Sequence, residues 1–152
     1  MRNEETTEKT DNGAAQNPVI APNEIYSTLG GTDGGAPEAF AALVDSFYDG
    51  VEKDPLLRPM YPEGDEAMKE ARENLALFLI QYFGGPAIYA EKRGHPRLRM
   101  RHMPFVIGNA ERDAWLQHMN HALNSVPALQ EVAPILRRYF TEAAGFLRNH
   151  EG

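Results

Sequence analysis

Four segments of the chain carry large apolar side chains three and four residues apart, and none alternates apolar and polar residues in sustained steps of two. That spacing lines one face of a helix, so the expected fold class is all-α. The first face holds Phe40, Leu43, Val44, Phe47, Tyr48 and Val51, and it is opened by Pro37, a residue suited to a first helical turn. The second holds Met68, Ala71, Leu75, Phe78, Leu79 and Tyr82, with Gly84-Gly85-Pro86 as its stop. Asn109 is expected to cap a third helix with Glu111 and Asp113 near its start and Trp115, Leu116, Met119, Ala122, Leu123 and Val126 on its apolar face. A fourth begins around Pro134 and turns Ile135, Leu136, Tyr139, Phe140, Ala143 and Leu147 inward.

Glycine and proline punctuate these helices. Four glycines fall between Gly30 and Gly35, which forbids a regular element there, and no Lys-Ser/Thr follows to make a phosphate-binding loop. Pro55, Pro59 and Pro62 impose an irregular corner between the first two long helices. Residues 1–23 are polar and rich in Glu, Thr and Asn, and they read as a disordered tail. The remaining stretch, 24–152, reads as one domain with one core, in keeping with a chain of 152 residues and 42% hydrophobic content.

Composition excludes several functions. The formal charge of −7 repels nucleic acid and anionic lipid. Cysteine is absent, which removes disulfides, iron–sulfur clusters, thiolate zinc sites, thiol nucleophiles and haem attached through Cys-x-x-Cys-His. Any metal must be held by His or carboxylate. No secretory pattern or membrane-length apolar run occurs, so the expected location is cytoplasmic.

The acidic chain places four arginines and two histidines in the ten residues from Arg93 to His102. His118 and His121, three apart, have a spacing that could meet one metal, but they lie off the apolar stripe and read as solvated surface. His95 precedes a proline in the basic run, and His150 falls near the chain end. His102 ends a short helical phase from Leu98, which Pro104 prevents from continuing. On local pattern alone, it complements the helix dipole. Beside an apolar slot, the same imidazole could ligate an iron. Phe105, Val106 and Ile107 would begin such a slot, with Leu75, Phe78 and Leu79 as the other wall. Arginines or a tyrosine at the rim would then neutralise carboxylates of a macrocycle, although each arginine taken singly reads as solvated.

Five motifs in order carry a family resemblance: the glycine pair at residue 30, SFYDGVEKDPLLRPMYPEGD, FLIQYFGGPAIY, RGHPRLRMRHMPF and ERDAWLQHM. From about Asn23 to Leu147 the chain resembles a group II truncated haemoglobin of the actinobacterial type. The resemblance implies a two-over-two helical sandwich around haem b. It makes His102 the proximal iron ligand and sets Tyr48, Tyr61 and Trp115 around the distal position. Ala71, Leu75, Phe78, Leu79, Tyr89, Arg99, Arg101 and Phe105 are implied as further haem contacts. Two features depart from the family pattern, the long N-terminal tail and a slightly longer stretch between Tyr61 and Leu75.

Taken alone, Tyr48, Tyr61 and Trp115 read as large core side chains whose polar ends are satisfied elsewhere. Placed together around a gas ligand that gains negative charge, their O–H and N–H groups would be stabilising donors. The implied function is reversible binding of O2 and other diatomic ligands, with NO or peroxide redox chemistry as its use, so that NO dioxygenase or peroxidase-like activity is expected. The implied partners are O2, NO, CO or peroxide and an unidentified reductase, and a homo-oligomer is compatible with the reading. A haem-based gas sensor or redox-partner module is the alternative, and a haem-free helical interaction protein is the third class. The tail is expected to be dispensable for haem binding.

Overall fold

The computed structural model describes residues 19–150, the side chain of Arg99 excepted. Residues 1–18 of the expected tail lie outside the described residues. The chain then enters a 3-10 turn, Pro22–Glu24, and a one-turn helix α1, Ile25–Thr28. Six further helices follow: α2 Ala36–Glu52, α3 Asp65–Tyr82, α4 Ile88–Arg93, α5 Leu98–His102, α6 Asn109–Asn124 and α7 Ala133–Leu147. No strand occurs among the described residues, and no helix there is long and apolar enough to cross a membrane.

The four long helices form the two-over-two sandwich. Helix α2 packs against both α3 and α6, and α6 packs against α7. Their apolar faces meet in one core, in which Phe40, Leu43, Phe47, Leu79, Met119, Leu123, Leu136 and Phe140 are each at most 1% exposed. The short helices hang on this frame, α4 against α3 and α5 against α7.

Three sequence expectations shift in detail. The residue that caps α6 is Gly108, not Asn109, because the Glu111 carboxylate accepts the Gly108 N–H at 2.8 Å and Asn109 begins the helix with its side-chain oxygen accepting from Arg148 at 2.9 Å. Val126 lies past the end of α6, yet the turn that follows buries it. Tyr82 ends α3 47% exposed, its ring against Phe78, Phe83 and Tyr139, while Leu79, Ile80 and Phe83 beside it take the buried positions.

The expected stop after α3 has a steric cause. Gly84 sits at φ +103°, and a Cβ there would run into the carbonyl oxygen of Asn23. The close approach lets the α1 segment dock, with the Tyr26 N–H donating to the Phe83 carbonyl at 2.9 Å. Gly84→Ala is therefore expected to destabilise the protein by about 2 kcal/mol or more, since the left-handed backbone and the clash add. Denaturant unfolding of the haem-loaded protein measures this; a loss under about 0.5 kcal/mol would mean that the turn relaxes without cost.

Candidate functional site

Between α2, α3, α5, α6 and α7 lies a cavity of about 370 Å³, lined mainly by apolar and aromatic side chains. One wall is a face of α3. Ala71, Asn74, Leu75, Phe78 and Leu79 recur along it at the three- and four-residue steps of one helical face. Tyr48 comes from α2, Tyr61 from the turn after Arg58–Met60, and Trp115 from α6. His102 closes α5 and lines the same cavity.

Packing orders the aromatic wall. Tyr61 meets Tyr48 edge-on at 5.4 Å between ring centroids, Tyr48 meets Phe47 at 5.3 Å, Phe47 meets Trp115 at 5.4 Å and Trp115 meets Phe140 at 5.9 Å. Each ring thus braces the next, and Tyr48, Tyr61 and Trp115 line one cavity. Burial pushes the Tyr48 phenol up to about 12, against a smaller opposing pull from Arg72. Burial also raises the Tyr61 phenol, the neighbouring Tyr48 adds to this, and a hydrogen bond with Trp115 works against it. Both phenols therefore keep their protons at neutral pH and can donate them.

His102 is set up differently. Its Nδ1 lies 2.7 Å from the Leu98 carbonyl oxygen, an acceptor, so Nδ1 carries the proton and Nε2 keeps the lone pair able to ligate a metal. The loop after it is stapled by Asn149, whose Nδ2–H donates to the Phe105 carbonyl at 2.9 Å and whose Oδ1 accepts the Ile107 N–H at 2.8 Å.

The other expected contacts divide. Ala71, Leu75, Phe78, Leu79, Tyr89 and Arg101 all line the main cavity. Phe105 instead lines an adjoining cavity of about 80 Å³, which shares Tyr61, His102, Trp115 and Leu147 with the larger one. Ile107 lines it too, whereas Val106, expected beside them, is 61% exposed because the stapled loop turns it outward. The side chain of Arg99 lies outside the described residues.

Arg93, Asn74, Tyr139 and Phe140 also line the cavity and were not read as contacts. Arg93 follows Tyr89 by one helical turn, and Asn74 follows Ala71 by three residues, so helical phase carried both signals. His95 faces a neighbouring groove, not this cavity. His118 is not simple solvated surface: its Nε2–H donates to Asp54 Oδ2 at 2.7 Å, which holds the Asp54 carboxyl below its ordinary range. Among the described residues no group of three or more His, Asp or Glu is disposed to hold a metal ion. A metal in this cavity would take one imidazole from the chain and its remaining bonds from another group.

A model of the bacterial-like globin family matches residues 24–148. The chain belongs to that family. Group 2 truncated haemoglobin YjbI of Bacillus subtilis (strain 168) is 42% identical over 114 residues, 75% of this chain and 80% of that one. The solved thermostable haemoglobin of the actinobacterium Thermobifida fusca superposes with a TM-score of 0.73 at 48% identity, over 82% of this chain and 95% of that one. The truncated oxygen-avid haemoglobin of Bacillus subtilis superposes with a TM-score of 0.71 at 37% identity, over 82% and 98% of the two chains.

Haem is the cofactor of this globin, and it binds small gas ligands. The cavity fits that group on its own terms. It combines apolar walls, one imidazole with a free Nε2, two arginines, and Asn74, whose Oδ1 is buried without a hydrogen-bond partner.

Because the fold favours the protonated Tyr48 phenol, the stabilisation is complete below the ordinary phenol value of 10.0 and is lost as pH rises toward about 12. Alkaline titration of tyrosinate absorbance is expected to show one phenol ionising near the upper value in the wild type and missing from Tyr48→Phe. The wild type should also lose more stability than Tyr48→Phe over that interval. Titration of every phenol near its ordinary value would contradict the burial assigned to Tyr48.

Proposed function

We propose that this globin binds dioxygen tightly and serves redox chemistry, either on NO with the bound dioxygen as oxidant or on peroxide as the oxidant in its own right. In this reading His102 Nε2 is the proximal iron ligand, and Trp115, Tyr48 and Tyr61 donate hydrogen bonds to the gas. Haem supplies the iron that takes the diatomic ligand. The chain supplies everything that decides how long the ligand stays.

The observation that carries the reading is the convergence of three donors and one correctly protonated imidazole on a single cavity. A gas that gains negative charge accepts from O–H and N–H groups, and apolar walls strengthen those bonds by excluding water. Two phenols that keep their protons at neutral pH suit that task. The oxygen avidity named for the Bacillus subtilis protein agrees with it. Slow release serves chemistry better than delivery. Conversion of NO and dioxygen to nitrate needs one electron, which haem iron would supply and an unidentified reductase would return.

Arg93 and Arg101 are assigned to the haem carboxylates. Both line the cavity, and Arg101 is oriented by donating its Nε–H to the Pro96 carbonyl at 2.7 Å. Leu75, Phe78, Leu79 and Tyr89 wall the macrocycle, with Ala71 leaving room beside the ligand.

Trp115→Phe keeps most of the ring and removes only the donor. It is expected to raise the oxygen dissociation rate by roughly ten- to a hundredfold, the loss of one hydrogen bond to a charged acceptor. Bound CO is less polar, so its dissociation should change much less. Stopped-flow measurement of both gases decides: equal acceleration would make Trp115 a steric gate, and an unchanged oxygen rate would place its indole away from the ligand. His102→Ala is expected to abolish the native haem spectrum, with partial recovery on adding excess imidazole. A normal five-coordinate ferrous spectrum in His102→Ala would overturn the proximal assignment.

A further inference from the structure

Arg72 follows Ala71 on α3, but its guanidinium reaches across to α2. Nη1 donates to the Asp45 carbonyl oxygen at 3.2 Å and to the Asp45 carboxylate at 3.1 Å. Nη2 donates to Asp49 Oδ1 at 3.1 Å and to Glu52 Oε2 at 2.8 Å. The arginine side chain is 21% exposed, while its three carboxylate partners are 44% to 68% exposed. Burial works against its charge, and the three carboxylates more than reverse this, so Arg72 stays cationic.

Surface ion pairs contribute little to stability one by one, and a tie between two helices needs only one of them. The additional feature here is a cation–ring contact. Asp45, Tyr48, Asp49 and Glu52 share one face of α2 at helical spacing, and the Arg72 Cζ stands 5.4 Å from the centroid of the Tyr48 ring. A planar fork held by acceptors on both nitrogens has a fixed plane, and a ring lying against it is held in turn. Phe47 and Tyr61 meet the same ring edge-on. Tyr48 is thus confined by aromatic edges and by a clamped cation.

We propose that Arg72 is a positioning residue for Tyr48: clamped by Asp45, Asp49 and Glu52, it holds the phenol where it donates to the diatomic ligand. The proposal rests on the reading of Tyr48 as a distal donor. Two effects act together. The cation–ring contact orients the ring, and the cation polarises the O–H, in line with its pull on the phenol against burial.

The test is a double-mutant cycle of Arg72→Met and Tyr48→Phe on the haem-loaded protein, with thermal unfolding as the check of fold. Arg72→Met is expected to speed oxygen dissociation by about two- to fivefold, the range of an exposed cation–ring contact, and to leave CO dissociation nearly unchanged. In the Tyr48→Phe background the same substitution should do nothing. The C–O stretching frequency of the CO complex, which senses the donors beside the gas, should shift in Arg72→Met in the same direction as in Tyr48→Phe. Arg72→Lys keeps the charge without the fork and should fall between wild type and Arg72→Met. It carries the test if Arg72→Met does not fold. An Arg72 effect that persists at full size without the phenol, or no effect at all while Tyr48→Phe has one, overturns the proposal. If Tyr48→Phe itself leaves oxygen dissociation and the C–O stretch unchanged, the reading of Tyr48 as a donor fails instead.

Discussion

His102 stands on a helix of five residues, Leu98–His102, and the site depends on what holds that helix in place. One turn of helix costs more backbone entropy than its hydrogen bonds return, so α5 cannot persist by itself. The chain restrains it from both ends. Arg97 takes a left-handed conformation at φ +50°, and its N–H donates to His95 Nδ1 at 3.0 Å, which turns the chain into the helix. Beyond the helix, Asn149 ties down the Phe105–Ile107 loop from the far side of α7. Within it, the His102–Leu98 bond orients the ring and selects its tautomer at once.

The opposite requirement governs the aromatic donors. Tyr48 and Trp115 sit in the middle of long helices whose apolar faces are buried whatever the site does. Their orientation comes from ring-on-ring packing, with Trp115 between Phe47 and Phe140. Contacts of this kind contribute about 0.5 to 1.5 kcal/mol each beyond area burial, and every ring in the series is braced by the next. The imidazole is thus held by hydrogen bonds on a short loop-bound element, and Tyr48 and Trp115 by ring packing on long helices.

The division also explains what could be read in advance. Apolar periodicity located all four long helices, because burial of one face is what makes each of them stable. The limits of α5 were legible from Leu98 and Pro104. Polar contacts between distant segments were not, since nothing in helical phase encodes a partner. Asn149 reaches back 44 residues to Phe105, Arg72 reaches 27 residues to Asp45, and His118 reaches 64 to Asp54. The same gap helped to move the α6 cap to Gly108, because Arg148, 39 residues away, takes the side-chain oxygen of Asn109. At His102, local chemistry left a dipole partner and an iron ligand both open, and only the ordered motifs favoured one. Arg93 and Asn74 were in phase with Tyr89 and Ala71, but an arginine taken singly reads as solvated and an asparagine carries no apolar signal.

The placement of charge around the cavity follows from the cost of burial. A cation inside a dry pocket would stabilise an electron-rich ligand, but desolvating it costs several kcal/mol unless a partner is buried with it. Arg72 stands behind the phenol, where three carboxylates offset that cost. Its carboxylate partners stay largely in water, its side chain is one-fifth exposed, and the ring of Tyr48 lies against it. The cavity meets a neutral hydroxyl, while the field that acts on that hydroxyl originates at the surface. An acidic chain with a formal charge of −7 can carry three exposed carboxylates there without strain on the core, and one arginine gives them a common focus.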